Sequence, residues 1–152
     1  MIGRRSRQQI KEQLLTQFLA NHSYEEISHA GERFAVCSIP KLLRPNAMQR
    51  IKWHMDQGHQ CILVSANINL YLEPWGRHAG FQHVICSQCE VSEQELITGK
   101  LQGLNCWGPE KVRRLIEVIG PISQYTLYAY GDSLGDKDFL EIADYSFYQT
   151  LQ

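Results

Sequence analysis

The chain has 152 residues, of which 43% are hydrophobic and 20% are charged, and this composition is that of a globular protein and not of a disordered one. The length suits one domain, or one core with a small cap. Fifteen basic and sixteen acidic side chains give a net charge of −1, which argues against a broad nucleic-acid-binding surface.

The first part of the chain is predicted to be helical. Apolar residues recur at helical spacing over residues 6–20 and predict an amphipathic helix; they are Ile10, Leu14, Leu15, Phe18 and Leu19. Ser23-Tyr-Glu-Glu26 is a capping-box pattern that opens a second helix. Arg44-Pro45 is typical of the start of a third helix, which ends near Gly58. We expect these helices to precede any strand.

From residue 61 onwards, short apolar segments alternate with helical patterns. Helices are predicted over residues 69–79, interrupted or begun late by Pro74, and over 109–119 and 137–143. Strands are predicted over residues 61–64, 83–86, 126–130 and 145–150, and a hairpin or flap over 89–104. The sequence therefore predicts an α/β fold with a parallel sheet and a helical cap.

The five cysteines are an odd number, and the sequence shows no secretory leader before them. The longest apolar run is far shorter than the ~18 residues that span a bilayer. We therefore expect a cytoplasmic protein with free thiols and no membrane span.

Ser65 directly follows the strand predicted over residues 61–64 and precedes a helix. Its ordinary role at such a corner is that of a helix N-cap. The functional alternative is that its hydroxyl binds a phosphate oxygen beside backbone N–H groups at the same helix start. The sequence leaves both roles open.

Lys111 lies in the first turn of the helix that opens at Gly108-Pro109. A cation there opposes the helix dipole by ~0.3–1 kcal/mol. The position is explained if the ammonium group reaches an anion. An exposed lysine that tolerates the small penalty is the alternative.

Two aspartates follow the last long predicted strand, in Gly131-Asp-Ser-Leu-Gly-Asp136. Carboxylates at the carboxyl end of an α/β strand can hold a hard cation such as Mg²⁺ beside a phosphate group. Asp132 ends the strand and needs a partner there, for which a metal, a lysine or backbone N–H groups would all serve. Asp136 begins a helix, so N-capping is its alternative role.

Cys86-Ser-Gln-Cys89 is a single C-x₂-C motif. The lack of a second pair argues against a structural zinc site. A thiol redox role remains a weak alternative, because redox motifs of this type precede a helix, whereas this one precedes the predicted hairpin.

Three segments taken together, in this order and at this spacing, resemble the second, third and fourth motifs of the haloacid dehalogenase superfamily. They are Val64-Ser-Ala66, Gly103-Leu-Asn-Cys-Trp-Gly-Pro-Glu-Lys111 and Gly131-Asp-Ser-Leu-Gly-Asp136. The likeness is to subfamily IB, the phosphoserine phosphatase-like hydrolases. It implies a Rossmann-like core over residues 42–152, a partial helical cap of the C1 type over residues 1–41 and a flap near 89–104.

The resemblance also implies the roles of individual residues. Ser65 and the adjoining Ala66 would bind the phosphoryl group, and Lys111 would neutralise it and orient the nucleophile. Asp132 would ligate Mg²⁺, and Asp136 would bind Mg²⁺ through water or brace Lys111. The reaction in such proteins is attack by an aspartate on a small phosphate monoester, followed by hydrolysis of the aspartyl-phosphate.

One part of the family's pattern is missing. The first motif is a strand followed by D-x-D-x-T or D-x-D-x-V, which supplies the nucleophile, and the only aspartate before Ser65 is Asp56, near a helix end. We expect a sheet without its middle strand, inactivity of the chain as written, and self-association through the exposed edges. A misplaced start codon, a decayed non-catalytic remnant that binds phosphate, and a strand supplied by another polypeptide remain as explanations.

Overall fold

The computed structural model of the protein describes residues 6–150. Three α-helices come first: α1 (Arg7–Leu19), α2 (Tyr24–Cys37) and α3 (Pro45–Asp56), with a 3₁₀ turn at Ile39–Leu42. The hydroxyl group of Ser6 accepts a hydrogen bond from the backbone N–H of Gln9 at 3.1 Å, and the Gln9 side chain accepts one in return at 2.8 Å. Ser23 accepts a bond from the N–H of Glu26 at 3.5 Å. These contacts satisfy N–H groups that a helix leaves free at its start.

Strands and helices alternate in the remainder of the chain. The strands are β1 (Ile62–Ile68), β2 (His83–Ser87), β3 (Cys89–Val91), β4 (Ile97–Leu101), β5 (Tyr128–Gly131) and β6 (Tyr145–Tyr148). The helices are α4 (Asn69–His78), α5 (Pro109–Ile119) and α6 (Lys137–Glu141). Strands β1 and β2 are parallel, as are β5 and β6, whereas β3 and β4 form an antiparallel hairpin within the segment expected to be a flap. The predicted α/β fold with parallel strands and flanking helices is confirmed.

The parallel sheet is divided at its centre. Among the described residues, β1 is paired only with β2, and β5 only with β6. The space between β1 and β5 is a cleft of about 450 Å³, lined on one side by Ile62–Val64 and on the other by Leu127, Tyr128 and Tyr130. An edge of each parallel pair therefore faces this cleft.

Pro74 does not interrupt α4 or delay its start, in contrast to the expectation from the sequence. A proline inside a helix frees the carbonyl four residues earlier, which here is that of Leu70. Helix α2 approaches this carbonyl at Gly31, where an added Cβ atom would lie 2.1 Å from the Leu70 oxygen. Helix α2 therefore packs closely against α4 beside the carbonyl that Pro74 leaves without its helical N–H partner.

The apolar face expected for α1 is only partly correct. Leu15 is buried and Leu19 packs beside it, whereas Ile10, Leu14 and Phe18 are exposed. The helix lies against β4 through Leu15 and also through Glu12, whose carboxylate accepts a bond from the N–H of Leu101 at 3.2 Å. Periodicity therefore identified the helix but only part of the face that contacts the rest of the molecule.

Three clusters of buried apolar residues form the core. One joins α1, α4 and the hairpin, one joins α2, α4 and β2, and one joins β2, α5 and the chain around Cys106. None of the described helices has both the length and the apolar character needed to cross a membrane. A boundary between cap and core near residue 41 stays a prediction, and residues 1–5 of that expected cap lie outside the described range.

Candidate functional site

A cavity of about 450 Å³ lies where β1 and β5 end. Its lining includes all five residues that the sequence marked as a site: Ser65, Ala66, Lys111, Asp132 and Asp136. Residues from three separate stretches of the chain thus meet at one edge of the parallel strands. Their roles in binding or catalysis stay predictions.

Ser65 does not cap a helix. Strand β1 continues to Ile68, with an irregularity after Val64, and α4 begins four residues beyond Ser65. The hydroxyl oxygen of Ser65 instead accepts a hydrogen bond from the N–H of Asn67 at 3.1 Å. The serine is therefore held in a turn of the strand that lines the cavity, and its hydroxyl proton is left to donate to another group.

Lys111 is buried and paired with Asp136. Only 6% of the lysine and 7% of the aspartate is exposed, and their side chains meet at 2.5 Å. The lysine ammonium group also donates to the carbonyl of Val64 at 3.3 Å. The alternative of an exposed lysine is thus wrong. The ammonium group connects Val64 in β1 to Asp136 in the loop after β5.

The carboxylate of Asp136 is fully engaged by donors. One oxygen bonds to Lys111, and the other accepts bonds from the N–H of Asp132 at 3.2 Å and from the N–H and hydroxyl of Ser133 at 3.0 and 2.8 Å. Burial alone would raise the pKa of Asp136, but the bonds from Lys111 and Ser133 outweigh it and hold the pKa below its ordinary value. Asp136 precedes α6 without capping it through its side chain, so it braces the loop and the lysine.

Asp132 is the carboxylate that remains available to a ligand. Its side chain is 60% exposed, and its one ion pair in the described structure is a 3.6 Å contact with the exposed guanidinium group of Arg44. An exposed pair of this kind contributes about 0–1 kcal/mol and is readily displaced. Mg²⁺ commonly uses one or two carboxylates, completed by water and phosphate oxygens, and Asp132 fits that requirement as a single ligand. Within residues 6–150, no group of three or more His, Cys, Asp or Glu side chains forms a closed metal site.

Three side chains at or beside the cavity were not identified from the sequence. Arg44 lines it, although the sequence marked this residue only as the start of a helix. Trp107 also lines it and lies inside the segment that resembles the third motif. Lys11 lies behind Ala66 and donates a hydrogen bond to its carbonyl group. Trp107 could have been identified from the sequence, because it lies inside the segment that resembles a family motif. No sequence pattern indicated that Arg44 or Lys11 lies near the cavity.

The cysteine pair Cys86 and Cys89 is buried and reduced. Burial raises the pKa of Cys86 to about 12, assisted by the nearby carboxylate of Glu73, and raises the pKa of Cys89 to about 11. A redox-active thiol requires a lowered pKa. The structure therefore argues against the redox alternative.

A relative with substantial sequence identity is the protein CicA of Caulobacter vibrioides, which is 35% identical over 148 residues. The match covers 97% of this chain and 66% of CicA. The chain thus spans slightly less than two thirds of the length of this curated relative.

Solved structures share the fold. A protein of unknown function from Bordetella pertussis Tohama I is 28% identical, with a TM-score of 0.79 over 91% of this chain and 64% of its own. A probable phosphoserine phosphatase from Vibrio cholerae superposes with a TM-score of 0.65 at 14% identity, over 91% of this chain and 41% of its own.

The family model of the haloacid dehalogenase-like hydrolases matches residues 2–141. This range contains all three segments whose side chains meet in the cavity. The chain belongs to the haloacid dehalogenase-like hydrolase family.

Proposed function

We propose that this chain forms the phosphate- and Mg²⁺-binding part of a phosphomonoesterase that acts through an aspartyl-phosphate. The observation that carries the proposal is the convergence of the Ser65 hydroxyl, the Lys111 ammonium group and the Asp132 carboxylate on one cavity. A hydrogen-bond donor, a buried cation and an available carboxylate are the groups that phosphoryl transfer needs around the transferring phosphorus. The substrate class is a small phosphate monoester.

Each group has a defined task in this proposal. The Ser65 hydroxyl and the backbone of Ala66 bind phosphoryl oxygens, and Lys111 neutralises the charge that develops on them. Asp136 keeps Lys111 in place. Mg²⁺ held by Asp132 would offset further negative charge on the phosphoryl oxygens.

The cleft between β1 and β5 is suited to the segment that carries the nucleophile. It shares Leu63, Val64, Tyr130 and Asp136 with the cavity at the strand ends. An extended segment in the cleft, parallel to its neighbours, would place its last residues beside Ser65 and Asp132. A strand that ends in D-x-D-x-T would therefore supply the attacking carboxylate at the correct edge.

One specific observation favours a second candidate function, a phosphate-binding protein without catalysis. Among the described residues, Asp132 and Asp136 are the only aspartates that line the cavity, and Asp136 is already bonded on both oxygens. No free carboxylate other than Asp132 is therefore present to attack phosphorus in this part of the chain. Such a protein would bind phosphate through the same groups and release it unchanged.

Hydrolysis of an aryl phosphate in Mg²⁺ separates the two functions. The 152-residue chain is expected to bind phosphate without measurable turnover. The same chain extended at its N-terminus by an apolar strand ending in D-x-D-x-T is expected to turn over, and to lose activity with Asp132→Ala or with EDTA. The control is the same extension with asparagine in place of its first aspartate, which is expected to fold and remain inactive.

Full activity of the 152-residue chain would refute the need for an added nucleophile. A folded, extended chain that binds phosphate but never hydrolyses the ester would support the non-catalytic function instead.

A further inference from the structure

The side chain of Lys11 connects α1 to the turn that holds Ser65. Its ammonium group donates hydrogen bonds to the backbone carbonyl of Ala66 and to the side-chain oxygen of Asn105. Lys11 and Ala66 are 55 residues apart in the chain. The hydroxyl group of Ser87 lies 3.1 Å from the same carbonyl and 3.0 Å from the same Asn105 oxygen. The Ala66 carbonyl is thus held by Lys11 and Ser87, neither of which lines the cavity.

The orientation of this carbonyl determines the direction of the next N–H group. The described residues contain no cis peptide bond, so the carbonyl of Ala66 and the N–H of Asn67 point in opposite directions across one planar peptide unit. The carbonyl points to Lys11, and the N–H points to the Ser65 hydroxyl oxygen at 3.1 Å. A rotation that released the carbonyl would also turn the N–H away from Ser65.

The charge of Lys11 adds to this geometric effect. Its two hydrogen-bond acceptors, the oxygens of Ala66 and Asn105, are neutral. The ammonium group is partly buried, and burial lowers the pKa of Lys11 below its ordinary value. A positive charge on the carbonyl side polarises the peptide unit and makes its N–H a stronger donor. The position of Asn105 is itself fixed, because its N–H donates to the side chain of Gln8 at 3.2 Å.

We propose that Lys11 is a positioning residue for the anion site: it holds the Ala66–Asn67 peptide so that the Asn67 N–H stays bonded to the Ser65 hydroxyl oxygen and leaves the hydroxyl proton to donate to the bound phosphate. The inference rests on the proposed function, since it assigns α1 a part in the affinity of that site. Lys11 does not itself line the cavity. It acts through the backbone, and the tightness of phosphate binding therefore depends on the docking of α1.

The test measures inorganic phosphate binding and the amide spectrum of the full chain. Lys11→Met is expected to weaken phosphate binding at least tenfold and to shift the Asn67 amide resonance in the phosphate-free protein. Lys11→Arg, which keeps the charge and the donors, is expected to recover most of the affinity. Lys100→Met removes the same charge from an exposed position on β4 and is expected to stay within twofold of the wild type.

A measurement on the wild type alone covers the case in which Lys11→Met does not fold. The ¹⁵N signal of the Lys11 ammonium group is expected to move during a phosphate titration with the same midpoint as the Asn67 amide. A signal that stays fixed while phosphate binds would overturn the inference.

The inference and the proposed function fail in different ways. Equal phosphate affinity of folded Lys11→Met and wild type overturns the role of Lys11 and leaves the site intact. Absence of phosphate binding by the wild type overturns the proposed function and, with it, the effect of Lys11 on affinity. In that case the Asn67 amide shift still decides whether Lys11 positions the turn.

Discussion

The ammonium group of Lys111 and the carboxylate of Asp136 meet at 2.5 Å, and both side chains are almost fully buried. The pair joins the beginning of α5 to the loop after β5, and the lysine also reaches the end of β1. It therefore connects both halves of the divided sheet at the cavity. Its geometry explains why a cation is found in the first turn of a helix, where the helix dipole opposes it.

Asp136→Asn is expected to lower the free energy of unfolding by about 3–5 kcal/mol, because a buried ammonium group would lose its counter-charge. The measurement is urea unfolding followed by circular dichroism. The matched control is Asp56→Asn, which breaks the exposed Lys52–Asp56 pair and is expected to cost less than ~1 kcal/mol. Equal costs at the two sites would contradict the assignment of a buried, structurally important pair.

Glu110 gives the protein a pH-dependent stability. Hydrogen bonds from Arg113, and then from Arg114, lower the pKa of Glu110 to about 2 from an ordinary value of 4.5. Because the folded pKa lies below the unfolded one, this stabilisation is complete above pH 4.5 and is lost as the pH falls towards 2.

We expect Glu110→Gln to reduce the pH dependence of the unfolding free energy within this window. The control is Glu117→Gln, which removes the exposed partner of Arg113 and is expected to leave the pH profile nearly unchanged. Parallel profiles for wild type and Glu110→Gln, measured by chemical unfolding from pH 2 to 6, would rule out this role.

Gly31→Ala is expected to destabilise the protein by about 1–3 kcal/mol, because the added Cβ atom would meet the Leu70 carbonyl oxygen at 2.1 Å. The thermal unfolding midpoint is the measurement. Ser28→Ala on the same helix is the control, since the Ser28 hydroxyl is buried without a hydrogen-bond partner among the described residues. Its removal is expected to be neutral or slightly stabilising. A neutral Gly31→Ala would show that α2 and α4 are not closely packed there.

The cysteines are expected to differ in reactivity. Cys37 is exposed, whereas Cys86 and Cys89 are buried with raised pKa values. A thiol-specific reagent at pH 8 should therefore modify Cys37 in the native protein and the other two only on unfolding. Mass spectrometry of modified peptides identifies the sites, and rapid native modification of Cys86 would contradict the expectation.

The sequence predicted which side chains line one cavity, because each of them is tied to a local pattern. Ser65 directly follows the apolar segment at residues 61–64, Asp132 directly follows β5, and Lys111 follows a Gly-Pro helix start. In a parallel sheet the residues that follow such apolar segments lie at one edge, so local patterns also predicted the spatial arrangement.

Contacts between distant parts of the chain could not be predicted in this way. The polar contacts of Lys11 and Glu12 come from the same face of α1 as the buried Leu15, and an apolar pattern does not indicate that polar side chains on this face make such contacts. The close approach of Gly31 in α2 to the Leu70 carbonyl in α4 is a second contact of this kind. Such features follow from tertiary packing, which cannot be predicted from the spacing of apolar residues within a single helix.

The proposed function requires that a single anion binds between the Ser65 hydroxyl group and the Lys111 ammonium group. The most direct measurement is the crystal structure of the protein soaked in tungstate, a phosphate analogue whose position is given by anomalous scattering. We expect one tungsten peak in the cavity, with tungstate oxygens in hydrogen-bonding distance of the Ser65 hydroxyl and the Lys111 ammonium group. An empty cavity at saturating tungstate, or an anion bound only elsewhere on the molecule, would contradict the proposed anion site.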